Sequence, residues 1–281
     1  MYQTSRTRVG STIGLLQACH LPPTVAVTAI ATALAIATHR GAGIAAVTFA
    51  VGAGQLAVGW SNDYIDRDAD TRAGRLDKPI VAGRVNADTV RRGAIVALVA
   101  CVPLSFLSGW RAAGVHLAAV GAALAYNLWL KKSLASPLPY ALAFGALPVF
   151  VTLGLPGHPL PPLWAVAASG TFGCGAHFVN TLDDIEDDRL QNVRGLPQRL
   201  GVGVSLGVGA SLLALATCIL TFSPTRSPSA LVLTLFFATI AILVGVVLSV
   251  ATNHIAFAWP LTIASAVIAA VLLLASGTSL A

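Results

Sequence analysis

The stretch GAGIAAVTFAVGAGQLAVGWSNDYIDRDAD, residues 41–70, decides how this chain folds. Residues 41–60 carry no charge and are long enough to cross a bilayer as a helix, which takes about 20 mostly apolar residues. Asp63, Asp66, Asp68 and Asp70 follow at once. An apolar run that ends in a burst of carboxylates reads as a membrane span meeting a polar rim, because backbone polar groups in lipid must be satisfied within their own segment.

Outward from this stretch the pattern repeats. Similar runs occupy residues 12–39, with Pro22 and Pro23 bending the first span near its start, then 93–110, 112–130, 138–155, 162–182, 200–222, 230–251 and 255–276, the last containing Pro260. The 281 residues are 56% hydrophobic and 10% charged, and their mean hydropathy is +0.80, too apolar for a water-soluble domain of this length. The expected fold is an all-α integral membrane bundle of about nine transmembrane helices, one transmembrane domain over residues 1–281. Arg6 and Arg8 precede what reads as a retained first span, with no cleavable signal. Cys19, Cys101, Cys174 and Cys218 fall within predicted helices without metal-ligand spacing and read as small apolar residues.

Charge gives an orientation. Of the 17 Lys and Arg residues, only Arg40, Arg111 and Arg226 fall in loops on one face; the others share the opposite face. The positive-inside rule therefore predicts a cytoplasmic amino terminus, and nine spans put the carboxy terminus outside. The 11 acidic residues are more confined still: Asp63, Asp66, Asp68, Asp70, Asp77 and Asp88 lie within residues 61–92, and Asp183, Asp184, Glu186, Asp187 and Asp188 within 180–199. Both loops fall on the predicted cytoplasmic face of a multi-pass cell-membrane protein.

If the second and sixth helices continue past the membrane, residues three, four and seven apart share a face. Asp63, Asp66 and Asp70 then stack, with Asn62 beside Asp66, and in the second loop Asn180, Asp184, Asp187 and Asp188 line one face with Asp183 at its edge. Carboxylates stacked at a helix carboxy terminus repel one another and oppose the helix dipole, so a cation is expected. Oxygen-only ligands favour hard divalent ions, and Mg²⁺ is commonly held by one or two carboxylates plus substrate phosphates. With Arg and Lys dense around both clusters, the pattern predicts Mg²⁺ and a diphosphate. Asp68, Asp77, Asp88 and Glu186, off the ladder faces, read as solvated loop charges.

These residues resemble the UbiA superfamily of intramembrane prenyltransferases. NDYIDRDAD fits that family's NDxxDxxxD, and DDIEDD contains its DxxxD in two overlapping registers. Further matches are Arg75-Leu76-Asp77-Lys78-Pro79 with Gly83-Arg84, Tyr126 followed by Lys131, and Arg194-Gly195-Leu196-Pro197 before Arg199-Leu200-Gly201. The step from Tyr126 to Lys131 is one residue longer than in the 4-hydroxybenzoate-type members, and Lys78 stands where many have Arg. The resemblance implies a helical bundle around a cavity near the cytoplasmic leaflet, capped by the two acid loops and open sideways to lipid.

Cleavage of an allylic diphosphate leaves an anion and an allylic cation, and both need stabilising. Asn62, Asp63, Asp66 and Asp70 on one side, with Asp184 and Asp187 or Asp188 on the other, are the expected Mg²⁺ ligands, Asp66 and Asp187 being catalytic. Arg75, Lys78 and Lys131 are the expected phosphate clamps, followed by Arg72 and Arg199. Tyr126 is expected to face the cation with its ring, as is Phe178, and His177 is a candidate base. The leading function is transfer of a prenyl group from a prenyl diphosphate to a lipophilic, aromatic acceptor in the lipid phase; no nucleic-acid partner is expected. The alternative is a UbiA-type terpene cyclase, which needs no acceptor. An ion-coupled transporter ranks third, because its acids belong near the bilayer midplane, not at one rim.

Overall fold

The computed structural model describes residues 12–190, 192–224 and 227–276, so Arg6, Arg8 and Arg226 lie outside the described residues. All regular structure among them is helical. In chain order the helices are α1 (Thr12–Ala18), α2 (Leu21–Ala37), α3 (Gly43–Arg72), α4 (Ala87–Phe106), α5 (Trp110–Leu128), α6 (Leu138–Leu153), α7 (Leu163–Asn180), α8 (Ile185–Leu190), α9 (Leu196–Leu200), α10 (Val202–Phe222), α11 (Ala230–Ala251) and α12 (Ala258–Ser276). Each of the nine apolar runs overlaps a helix of at least 16 residues. Five of these helices are long and apolar enough to cross a membrane, or six if the bent pair α1–α2 counts as one span. The protein is therefore a multi-pass helical membrane protein.

Successive long helices pack side by side, and α12 returns against α2 to close the ring. Small residues allow close approach: a Cβ at Gly173 of α7 would stand 2.5 Å from the Tyr140 carbonyl oxygen of α6. The bend predicted from Pro22 and Pro23 is a 66° break. His20 sits at this break in left-handed backbone (φ 55°, ψ 61°), and the two prolines then start α2, where their missing N–H groups cost nothing.

Two elements position the site. Helix α3, at 30 residues, is about 45 Å long, some 15 Å more than the hydrocarbon layer, so its final turns carry the first acid cluster past the apolar zone. Helix α7 does not continue in the same way, which corrects the expected second ladder. It ends at Asn180, where the Thr181 hydroxyl, 3.0 Å from the Phe178 carbonyl, caps it. A 3-10 turn (Leu182–Asp184) and the separate helix α8 follow. Electrostatics favour the break: a continuous helix would load its negative end with carboxylates, whereas a fresh start places Glu186, Asp187 and Asp188 in the first turn of α8, at the positive end of its dipole.

Candidate active site

The turns and short helices at one end of the ring bring both acid clusters together. From the first, Asp63 and Asp70 are buried, with 2% and 7% of their surface exposed. Asp66 is half-buried between them and pairs with Lys131, which arrives from the 3-10 turn after α5. Asn62 donates to Asp66 Oδ2 at 3.1 Å and to Asn127 Oδ1 at 3.2 Å, and Asn127 donates in turn to the Val58 carbonyl at 2.9 Å. Asp68 is exposed beside Arg67, as its place off the ladder predicts.

The loop between α3 and α4 folds back over this face. Arg84 donates to the Leu76 and Asp77 carbonyls at 3.1 and 2.6 Å, clamping the loop so that Lys78 comes within 3.6 Å of Asp63 Oδ1 and Arg75 reaches Asp184 Oδ1 at 3.0 Å. Arg75 also holds Asp77 at 3.2 Å. Burial works to lower the Arg75 pKa, but the hydrogen bonds and charges of Asp77 and Asp184 outweigh it and the net movement is upward. Arg72 is exposed, and Arg199, also exposed, donates to the Arg194 carbonyl at 2.9 Å instead of facing the acids.

In the second cluster the two overlapping registers separate. Asp184 and Asp188 are half-buried, Asp184 on Arg75 and Asp188 accepting from Gln198 Nε2 of α9 at 2.7 Å. Burial pushes the Asp188 carboxyl up to about 6; the Gln198 hydrogen bond and Lys131 oppose this, and the charges of Asp184 and Asp66 add to it. Asp183 and Asp187 stand exposed. Asn180 lies 3.5 Å from the Tyr140 hydroxyl.

Beneath the acids is an aromatic layer. Tyr126 meets Tyr140 and His177 edge-on, at ring-centre distances of 5.3 and 5.5 Å, and Tyr140 lies 4.8 Å from His177. Phe178 is buried, 5.9 Å from His177. His177 Nε2 lies 3.2 Å from the Ser136 hydroxyl, which accepts from the Leu196 backbone, while its Nδ1 is buried without a hydrogen bond. Deeper along α6 and α7 an apolar cavity is lined by Phe144, Leu147, Ala168 and Phe172, together with Leu34 of α2 and Ala269 of α12. By helical rise, Phe172 and Ala168 lie about 8 and 14 Å further in than His177. The sequence reading missed Asn127, Tyr140 and Gln198. Tyr140, four residues before Phe144, carried a helix-period signal of its own.

Both oxygens of Asp63 and Oδ2 of Asp70 are buried without a hydrogen bond. A buried carboxylate oxygen left so is costly unless a cation serves it. Among the described residues no three His, Cys, Asp or Glu side chains converge tightly enough to hold a metal by themselves. The set fits a hard cation shared between protein carboxylates and the oxygens of a phosphate ligand, as is usual for Mg²⁺.

Comparison with known proteins gives the family. Over 178 residues the chain is 33% identical to the bacteriochlorophyll synthase 33 kDa chain of Cereibacter sphaeroides, an alignment covering 58% of this chain and 57% of that protein. It is 35% identical over 113 residues to the protoheme IX farnesyltransferase of Methylorubrum populi, covering 39% of this chain and 35% of that one. The chain thus spans little more than half of one relative's length and about a third of the other's. Its fold is similar to that of a UbiA homolog from Aeropyrum pernix K1, with a TM-score of 0.71 at 19% identity over 89% of this chain and 96% of that one. A UbiA homolog from Archaeoglobus fulgidus bound to DMAPP and Mg²⁺ gives a TM-score of 0.63 at 12% identity, over 92% and 98% of the two chains. With the UbiA prenyltransferase family matched across residues 21–254, the chain belongs to that family.

Proposed function

We propose that this chain is a Mg²⁺-dependent enzyme that ionises an allylic prenyl diphosphate and passes the prenyl group to a lipophilic aromatic acceptor. The observation that carries this is the union of two carboxylate clusters with Arg75, Lys78 and Lys131 directly above an aromatic layer and an apolar cavity. Asn62, Asp63, Asp66 and Asp70 would hold one metal edge. The half-buried Asp184 and Asp188 support that register for the other edge over the exposed Asp183 and Asp187, so the ligand and catalytic parts expected of Asp187 pass to Asp188.

Bound Mg²⁺ would offset the charge that accumulates on the departing diphosphate. Arg75, Lys78 and Lys131 hold diphosphate oxygens and keep the leaving group in place. As the C–O bond breaks its electrons leave with the diphosphate, and the ring systems of Tyr126 and Tyr140 shield the allylic cation. The acceptor's nucleophilic atom bonds to that cation and loses its proton to a carboxylate of the second cluster or to His177. The cavity along α6 and α7 takes the prenyl tail, out of contact with water.

The nine apolar runs support nine spans over residues 1–281, and the loop-charge bias supports a cytoplasmic amino terminus and acid face with the carboxy terminus outside. The relatives named for bacteriochlorophyll and protoheme IX place large apolar rings among the acceptors to try. The deciding experiment incubates purified protein and Mg²⁺ with prenyl diphosphates of increasing length, with and without lipophilic ring acceptors, and identifies the products. An acceptor-dependent adduct is expected. Diphosphate release with a cyclic hydrocarbon and no acceptor would make the chain a cyclase, and no release from any prenyl diphosphate would overturn both readings.

A further inference from the structure

One polar group at the acid face has no part in the site described so far. His20 occupies the 66° break between α1 and α2 in left-handed backbone, a region that side-chain-bearing residues other than Asn, Asp and His seldom adopt. The break is held from two sides. A Cβ at Gly59 would collide with the Cys19 carbonyl, so the backbone just before His20 lies directly on α3, one turn short of Asn62. Trp60 Nε1 also donates to the Leu15 carbonyl at 2.8 Å, fixing α1. The charges of Lys78 and Asp66 act on the imidazole, and Asn62 lies within hydrogen-bonding reach of it without the geometry of a formed bond. Its Nε2 is buried and makes no hydrogen bond.

The neighbours' own groups are largely spent: Lys78 stands beside Asp63, Asp66 pairs with Lys131, and both amide hydrogens of Asn62 go to Asp66 and Asn127. A buried imidazole nitrogen that the protein places but does not satisfy calls for a partner from outside. Close to the positive charge of Lys78, that partner is an anion rich in acceptor oxygens. We propose that His20 is a further substrate-contacting residue, whose Nε2–H donates to a diphosphate oxygen lodged between Lys78 and Asp66. The proposal rests on the diphosphate reading above. A neutral imidazole has one N–H to give, so the contact involves no change of charge. The break in the first span then has a purpose: a continuous helix would carry residue 20 along its own axis, whereas the break turns it toward α3.

Asparagine tolerates left-handed backbone but stops at the reach of Nδ1, while glutamine extends an amide N–H about as far as Nε2. Binding of inorganic diphosphate with Mg²⁺ is measured by calorimetry on the full-length wild type, Asp66→Ala, His20→Asn and His20→Gln, with thermal melts as the check on folding. His20→Asn should bind about ten- to a hundredfold more weakly and His20→Gln within about threefold of wild type. Wild-type affinity in His20→Asn, with binding lost in Asp66→Ala, would defeat the role of His20 alone. Equal weakening in both His20 variants would defeat it too. A wild type that binds no diphosphate would defeat the site reading itself. Spectra of ¹⁵N-histidine-labelled wild type need no variant: one imidazole signal, missing in His20→Gln, should shift on adding Mg²⁺ and diphosphate, and no shift overturns the proposal.

Discussion

Arg75 Nη1 lies 3.0 Å from Asp184 Oδ1, so a single guanidinium ties the loop after α3 to the turn after α7 across 109 residues. The same group is the proposed phosphate clamp, and its partly exposed position lets it reach a ligand from where it stands. Arg75→Gln removes both the clamp and the tie. The KM for prenyl diphosphate should rise about ten- to a hundredfold, the worth of a lost charge-assisted hydrogen bond, while Arg75→Lys, with charge but no fork, should recover part of it. Initial rates against prenyl diphosphate concentration decide this; an unchanged KM in Arg75→Gln takes the residue out of the site.

The two registers of DDIEDD are separable by paired substitution. Asp184→Asn and Asp188→Asn should each lower kcat/KM by at least about a hundredfold, since each removes a charge proposed to act directly on the leaving group. Asp183→Asn and Asp187→Asn, at exposed positions, should stay within about threefold. The reverse pattern would assign the metal to Asp183 and Asp187. Asp66→Ala, on the other cluster, should abolish turnover whichever register holds.

What the sequence disclosed and what it hid follow from the same physics. Asn62, Asp63, Asp66 and Asp70 were legible because one uninterrupted helix carries them, and a 3.6-residue period needs no tertiary knowledge. The break at His20 was legible from Pro22 and Pro23, though the direction in which it sends the imidazole was not. The second cluster was misread as a continued helix, although acids at three successive positions are themselves a helix-start signal. Asn127 and Gln198 join the site only by tertiary contact. Asn127 meets Asn62 from 65 residues away and Gln198 meets Asp188 from another helix, and no local pattern marks them.

The Asp188 carboxyl gives the site a pH dependence whose sign can be worked out. Burial raises it from 3.8 to about 6, so its contribution to stability is complete below about pH 4 and is lost as pH rises through 6. Above pH 6 the carboxylate is held at a cost to the fold, and a bound cation offsets that cost. Affinity for Mg²⁺ with diphosphate should therefore weaken as pH falls below 6, by at most about tenfold per pH unit for one displaced proton. Asp188→Asn should flatten that slope. Titrations between pH 5 and 8 test it, and a wild-type slope that survives in Asp188→Asn assigns the proton elsewhere.

Chelation gives an independent check on the metal. EDTA should remove activity and excess Mg²⁺ should restore it, because three oxygens of Asp63 and Asp70 are buried without a hydrogen bond and a cation is the natural group to serve them. Activity that persists in EDTA would mean that Lys78, Lys131 and Arg75 neutralise the diphosphate without a metal.

The cavity along α6 and α7 makes chain length a property of identifiable side chains. Phe172, 5% exposed, and Phe144, with ring centres 6.2 Å apart, form part of its wall roughly one turn below the aromatic layer. Phe172→Ala leaves a void that a longer tail can fill, and each further buried CH₂ is worth about 0.8 kcal/mol. Two extra methylenes would give about 1.6 kcal/mol, more than tenfold in relative kcat/KM. The variant should therefore favour the next longer prenyl diphosphate by about tenfold over its wild-type preference, at some cost in thermal stability. Val244→Ala on the exposed face of α11 serves as the control that changes volume without touching the cavity. Rates for a series of prenyl diphosphates, compared as ratios within each variant, cancel any general loss of folded enzyme. A ratio that does not move would place the tail along some other helix pair, even if the diphosphate site is correct.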